Sequence, residues 1–262
     1  MPEPTGGSVA FDRAAGFYDQ TRALSPQAAA AVQAVLTEEL GEREPILEIG
    51  VGTGRIALPL VEAGVPVVGV DLSEPMLAKL REKSAGSPFP LVQGDATRLP
   101  FRDDAFGAAY GVHVLHLIPG WRDVVAELMR TVRGGGRVLI DLGGMGTTLE
   151  ELSDRLASEA GTTSTFPGLG ADGGPELDAE FARHGARARE LAPIEEVWRI
   201  PIGAFITFFE GAVFSWTWGV SEERRKQAAD AVRPWAEERF GSLDEPVDMD
   251  RSIRWRAYDL LG

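Results

Sequence analysis

Cysteine is absent from this chain. That excludes disulfide cross-links, thiolate nucleophiles and Cys-ligated metal centres. Histidine is nearly as scarce, with three in all, at His113, His116 and His184, so imidazole chemistry near neutral pH has few places to sit. Positive charge is short as well: 26 Lys and Arg stand against 40 Asp and Glu, a formal net charge of −14. A nucleic-acid surface draws its affinity from clustered Lys and Arg that displace counterions. The densest basic run here, Arg224, Arg225 and Lys226, follows directly on Glu222 and Glu223, so nucleic acid is not expected as a partner. Residues 1–10 lack the charged start and apolar run of a secretory signal, and a cytoplasmic protein is the expectation.

Long apolar runs are also missing, with one exception at 201–220, where the one charge is Glu210. That length would reach across a bilayer. Glu210, however, lies at its middle, where a charge costs about 2.5–3.5 kcal/mol even on the lenient insertion scale, and Pro201, Gly203 and Gly211 interrupt it. The expectation is a buried or lid helix and no membrane partner. Within it Phe205, Phe208, Phe209, Ala212 and Trp216 recur at helical spacing. Phe205, Phe208, Phe209 and Trp216 are read as an apolar wall for a small-molecule substrate, with core packing as the competing role.

What is present is an ordinary globular balance, 44% hydrophobic and 25% charged over 262 residues. Helices are expected at 11–19 and 25–40, the second opened by Ser25 and Pro26 and closed by Gly41. From residue 45 strands and helices alternate: strands at 46–49, 65–70, 89–92, 105–112 and 137–142, with helices between them and a glycine turn at 134–136. This alternation predicts right-handed βαβ units and a parallel sheet covered on both faces. Beyond residue 143 the pattern loosens into helices at 150–160 and 176–184, one strand at 187–200, a helix at 222–240 and a last strand within 250–260. The expected division is cap helices over 1–44, a core over 45–200, a helical lid at 201–249 and a final core strand in 250–262.

The chemistry concentrates where strands end. Leu47-Glu48-Ile49-Gly50-Val51-Gly52-Thr53-Gly54-Arg55 joins the first strand to its helix, and such glycines admit a ligand against bare backbone amides. Dinucleotide binders prefer Gly-x-Gly-x-x-Gly, whereas the spacing here is Gly-x-Gly-x-Gly. Asp71 ends the second strand, where a carboxylate can accept both hydroxyls of a ribose. Gly94-Asp95-Ala96-Thr97-Arg98-Leu99-Pro100-Phe101 follows the third strand, and 106–119, with His113 and His116, holds the fourth and its loop.

With these four motifs in order, together with Phe11-Asp12-Arg13 and Tyr18-Asp19, residues 11–142 resemble the class I S-adenosylmethionine-dependent methyltransferases, in their small-molecule branch. The resemblance implies an α/β, Rossmann-like, doubly wound and mostly parallel seven-stranded sheet with helical cap insertions. It implies S-adenosylmethionine as cofactor and a small-molecule acceptor. Glu48, Gly50, Val51, Gly52, Gly54 and Arg55 would surround its methionine end, with Tyr18 and Arg22 closing over the carboxylate. Asp71 would bind the ribose, Leu72 and Met76 would pack on the adenine, and Asp95, with Ala96 beside it, would accept from the adenine amino group. His113 would lie next to the sulfonium. One departure is Gly134-Gly135-Gly136, where the family has Pro-Gly-Gly.

His113 and His116 are the candidate general bases, and no metal site is expected, since no acid pair accompanies them in sequence. Two other readings share part of the pattern. An NAD(P)-dependent oxidoreductase would explain the glycine loop and Asp71 but not 94–101, and a non-catalytic S-adenosylmethionine-binding protein would keep the loop without a usable acceptor site.

Overall fold

The computed structural model describes residues 8–262 except Ser87, Met145 and Ala171. The cap helices open with α1 (Tyr18–Arg22) and α2 (Pro26–Leu40). The expected helix at 11–19 is instead a short 3-10 turn, Asp12–Ala14, followed by α1. Residues 1–7 of the expected cap lie outside the described residues. Ser25 does cap α2, its hydroxyl accepting from the Ala28 N–H at 3.1 Å.

Alternation then follows: β1 (Ile46–Ile49), α3 (Ala57–Glu62), β2 (Val67–Asp71), α4 (Glu74–Lys83), β3 (Leu91–Gln93), β4 (Phe106–Gly111), α5 (Trp121–Thr131) and β5 (Val132–Asp141). After α6 (Thr147–Glu159) and α7 (Gly174–Arg183) come β6 (Arg187–Glu190), β7 (Ile194–Pro201), α8 (Ile202–Glu210), α9 (Glu222–Phe240), β8 (Pro246–Ile253) and β9 (Trp255–Asp259).

Seven strands form one sheet in the order β3-β2-β1-β4-β5-β9-β6, and β9 runs antiparallel to both of its neighbours while the other pairings are parallel. The chain steps outward from β1 to β3, then returns to lay β4 on the other side of β1. That reversal places a crevice outside the carboxyl ends of β1 and β4. The three glycines 134–136 are not a turn between elements. They lie inside β5, whose register with β4 shifts between the Phe106–Val132 and Ala108–Arg137 pairs, an irregularity of the bulge kind.

The chain divides into two compact units. The first holds the large sheet, with 167–194 and 253–262 returning to it. Its two faces carry separate cores. Leu36, Leu60, Leu77, Tyr110 and Trp255 belong to one; Leu47, Trp121, Leu128, Phe181 and Tyr258 belong to the other. Side chains alternate across each strand, so neighbours Ala109 and Tyr110 fall in different cores. Phe181 of α7 stacks on Tyr258 of β9 with ring centroids 3.7 Å apart. A ring of four charges ties α2 to the sheet: Arg137 and Arg189 each bond both Glu39 and Asp259.

The second unit draws on Gly144–Phe166 and Glu195–Ser252. The boundaries therefore fall elsewhere than the expected 200/201 and 249/250. The predicted strand at 187–200 is two strands: β6 stays with the large sheet, and β7 pairs with β8 in a small sheet of their own. Helix α6, read as part of the core, packs on α9 through Leu149, Leu152 and Leu156. Helix α8 stops at Glu210, so the predicted face running to Trp216 is interrupted, and Trp216 sits in a separate 3-10 turn. The backbone leaves the helix at Gly211 and Ala212, the latter at φ +55°, and Arg225 meets the end so formed. Buried within α9, it donates from Nε to the Glu210 carbonyl at 2.9 Å, satisfying a helix end that has no further turn to bond. Phe205 and Phe209 are fully buried in this unit's core, while Phe208 and Trp216 keep part of their surface. No helix among the described residues is long and apolar enough to cross a membrane.

Two stability outcomes follow from this packing. Phe209→Ala should cost about 3–5 kcal/mol in urea unfolding, as for a large side chain removed from a closed core, and Trp216→Ala clearly less; equal losses would contradict the burial difference. In the charge ring, burial pushes Asp259 up, but hydrogen bonds from Arg189 and Arg137 outweigh it and hold its carboxyl below the ordinary value. A depressed acid stabilises the fold above its unfolded pKa and loses that contribution as pH falls through the folded one. An Arg189→Ala/Asp259→Asn double-mutant cycle should therefore give a coupling of about 1 kcal/mol at pH 7 that fades on acidification below the ordinary aspartate range. A coupling that persists there would mean the pair acts through packing instead.

Candidate functional site

The glycine loop leaves β1 at Gly50 and must turn at once toward α3. Gly50 adopts φ +66°, and a Cβ there would meet Val114 Cγ2 at 2.7 Å, so both conformation and space demand glycine. Gly52 also has positive φ, yet a Cβ on it would meet nothing closer than the Gly50 carbonyl at 3.9 Å. Its open side is what a close-approaching ligand requires.

Asp71, the last residue of β2, fixes this loop. One carboxylate oxygen accepts from the Gly52 N–H at 2.7 Å and the other from the Ser73 N–H at 2.8 Å. Ser73 in turn caps α4 by accepting from the Met76 N–H at 3.3 Å. Burial raises the Asp71 pKa, and these two N–H bonds oppose it. Each oxygen keeps lone-pair capacity for a further donor. Leu72, beside it, is half-buried, whereas Met76 is 1% exposed and belongs to the interior.

After β3, Asp95 bonds the Thr97 N–H and hydroxyl through one oxygen, at 2.9 and 2.8 Å. Its other oxygen is buried with no hydrogen-bond partner among the described residues. Buried acceptors are normally satisfied, and this oxygen has capacity for a further donor. Ala96 next to it is buried.

Glu48 lies in β1 directly beside Tyr110 of β4. The tyrosine hydroxyl donates to its carboxyl at 2.6 Å. Burial pushes Glu48 up to about 8, against the Tyr110 bond and the Arg55 charge, so at neutral pH it is held mostly protonated. The tyrosine had only a weak sequence signal: a large residue in the otherwise small Phe106-Gly107-Ala108-Ala109-Tyr110-Gly111 strand.

The N-terminal helix touches the same loop. Thr53 donates its hydroxyl to Asp19 at 2.5 Å, Lys83 bonds the other Asp19 oxygen at 2.8 Å, and Arg55 donates to the Arg22 carbonyl at 3.1 Å. Tyr18 meets Phe11 edge to face. Asp19 thus joins α1 to the loop; the sequence reading set Tyr18 and Arg22 over the cofactor carboxylate and gave Asp19 no contact.

On the far side of the crevice, His113 follows β4 with φ +50°, a left-handed conformation that is uncommon outside glycine. Its Nε2 lies 3.7 Å from a carboxylate oxygen of Asp141, the last residue of β5. The other Asp141 oxygen accepts from the Gly143 N–H at 2.7 Å. Burial pushes Asp141 up to about 6, opposed by that N–H and by the charges of Arg55 and Arg254. His116 stands edge-on to His113 at 6.3 Å, and burial, helped by the Arg22 charge, pushes it down to about 4. It stays neutral at physiological pH and takes up protons poorly there. His184 lies on the end of α7, near Glu180. Asp141 escaped the sequence reading, although an acid ending a parallel strand, as Asp71 does, was the available signal.

The structure therefore brings together Gly50, Gly52, Asp71, Arg55 and Arg22 around one loop, and His113 with His116 and Asp141 at the ends of β4 and β5. It leaves Phe205 and Phe209 in the core of the second unit.

Residues 47–140 match the methyltransferase domain family. The chain is 35% identical over 144 residues to a demethylmenaquinone methyltransferase of Clavibacter sepedonicus, covering 53% of this chain and 58% of that one. Among solved structures, the YcgJ protein of Bacillus subtilis superposes with a TM-score of 0.60 at 20% identity, over 89% of this chain and 100% of that one. The [4+2]-cyclase SpnF does so with a TM-score of 0.60 at 17% identity, over 100% and 99%. The chain spans about half the length of the curated relatives it matches. Residues 47–140 thus carry a methyltransferase domain match, on a sheet of the order β3-β2-β1-β4-β5-β9-β6.

Proposed function

We propose that this chain transfers a methyl group from S-adenosylmethionine to a small-molecule acceptor held outside the carboxyl ends of β1, β4 and β5. The observation that carries the reading is the set of unspent polar groups at successive strand ends. The open side of Gly52, the remaining lone pairs of Asp71 and the orphaned oxygen of Asp95 line up in chain order with a phosphate-free adenosine and its amino-acid tail. When bound, the cofactor supplies a methyl carbon already made electrophilic by its sulfonium. The residues of the chain then have three tasks: to hold it, to place the acceptor in line, and to accept a proton where the acceptor carries one. Asp71 and Asp95 would hold ribose and adenine; Arg55, Tyr18 and Arg22 would hold the amino-acid end; His113 would face the reacting centre.

The acceptor is proposed to be small and partly apolar. Of the four aromatics first considered for its wall, Phe205 and Phe209 are buried, whereas Phe208 and Trp216 keep part of their surface. The acidic balance argues against nucleic acid, and the lack of cysteine fits a cytoplasmic setting. A second reading is kept because a [4+2]-cyclase shares the fold along the whole chain, and a fold alone does not fix a reaction. Formation of S-adenosylhomocysteine on turnover separates the two.

S-adenosylhomocysteine is expected to bind in the micromolar range, about −8 kcal/mol. Asp95→Asn should weaken it about tenfold, because a donor replaces the free acceptor, without lowering the thermal midpoint. Asp71→Asn should lower both, since it also loosens the Gly52 loop. Calorimetric affinity for Asp95→Asn within twofold of wild type would remove Asp95 from the cofactor site.

A further inference from the structure

Asp141 is not explained by the cofactor residues above. It is 5% exposed, its side chain is wholly enclosed, and one of its oxygens has no hydrogen-bond partner among the described residues. Directly across the antiparallel β5–β9 ladder stands Trp255. Opposed residues of such a pair share a face. The Trp255 indole N–H is likewise buried and unpartnered among the described residues. A donor and an acceptor thus sit side by side in the same layer without bonding each other. Each is an exception of the kind that calls for a third group.

His113 Nε2 lies 3.7 Å from this Asp141 oxygen. The imidazole is held there by its left-handed backbone and by Gly143, where a Cβ would come within 3.5 Å of His113 Cε1. Arg254 fixes the opposite side of that turn, its Nε donating to the Gly143 carbonyl at 2.7 Å. The groups bearing on the pair are therefore His116 beside His113, and Arg55 and Arg254 beside Asp141. Arg22 acts on His116. His113 has a carboxylate within 3.7 Å and 38% side-chain exposure.

We propose that Asp141 is a positioning residue for His113, and that the two form an acid–base pair serving an acceptor whose nucleophile is a weakly acidic hydroxyl. This rests on the methyl-transfer reading. In the step, the acceptor O–H bond breaks and its proton passes to the unprotonated ring nitrogen of His113. The oxygen's electron pair forms the new bond to the methyl carbon, and the pair of the carbon–sulfur bond returns to sulfur. The buried carboxylate of Asp141 balances the imidazolium until that proton leaves to solvent. An aliphatic amine already free of its extra proton would need no such pair.

The test is an NMR titration of isotope-labelled protein that follows the His113 ring and the Asp141 carboxyl. In Asp141→Asn, which keeps an acceptor for the Gly143 N–H, the His113 midpoint should fall by about one pH unit, as for loss of a carboxylate at this range. In His113→Asn the Asp141 midpoint should rise by the same amount, because coupled titrations are reciprocal. If Asp141→Asn does not fold, the His113→Asn measurement decides alone, since that ring is partly exposed. A shift below about 0.3 unit in the folded variants means that Asp141 merely braces the turn at Gly143, and overturns the inference. Neither measurement requires turnover. A protein that binds S-adenosylhomocysteine with an uncoupled pair refutes this proposal alone, whereas a coupled pair in a protein that does not bind it refutes the proposed function alone.

Discussion

The Asp71 carboxylate is the hinge on which the cofactor side of the structure turns. It binds the Gly52 N–H and the Ser73 N–H at once, so one side chain fixes the glycine loop, the end of β2 and the start of α4 relative to one another. Ionised acceptors of backbone N–H groups make stronger bonds than neutral ones, and these two are enclosed. The loop's glycines give it the freedom to turn, and that freedom alone would leave it unspecified. Asp71 selects the single arrangement in which the open side of Gly52 stays clear. Across the same loop, Asp19 reaches Thr53 and Lys83, so the N-terminal helix rests on an already ordered surface.

Carboxyl groups recur at the strand ends around this loop. β1 carries Glu48 near its end, β2 ends at Asp71, Asp95 follows β3, and β5 ends at Asp141. Burial raises Glu48, Asp71 and Asp141 above their ordinary values, and each uses a different means to offset the desolvation. Glu48 takes a tyrosine hydroxyl and stays protonated, Asp71 takes two backbone N–H groups, and Asp141 takes the Gly143 N–H and the charges of Arg55 and Arg254.

How much of this was legible in sequence depended on how local the physics was. The glycine loop, Asp71 and the Ser25 and Ser73 caps could be read because they are set by residues a few positions apart, where backbone conformation and capping chemistry leave a signature. The pairings Glu48–Tyr110 and His113–Asp141 could not. The first depends on the register of β1 against β4, and the second on β4 and β5 being neighbours with a specific bulge between them. The second unit was hidden for the same reason. Its helices at 150–160 and 222–240 were legible, but nothing local shows that α6 packs on α9, or that β7 leaves the large sheet to pair with β8.

The aromatic run at 201–218 shows where periodicity loses its power to discriminate. Apolar residues at helical spacing say that one face of a helix will leave water; they do not say what it will meet. Phe205 and Phe209 meet the apolar faces of α6 and α9 and are sealed there, whereas Trp216, seemingly the next position on the same stripe, lies beyond the helix end that Arg225 caps. The side chain that meets this helix end is a charged one from α9, in the basic run 224–226 that the sequence reading weighed only for nucleic acid. A buried guanidinium spent on a helix carbonyl is costly to desolvate unless it is fully bonded, and Arg225 is bonded to two carbonyls, those of Glu210 and Val220. It meets the end of α8 at Glu210, between an aromatic face that fills a core and the aromatic residues that retain a surface.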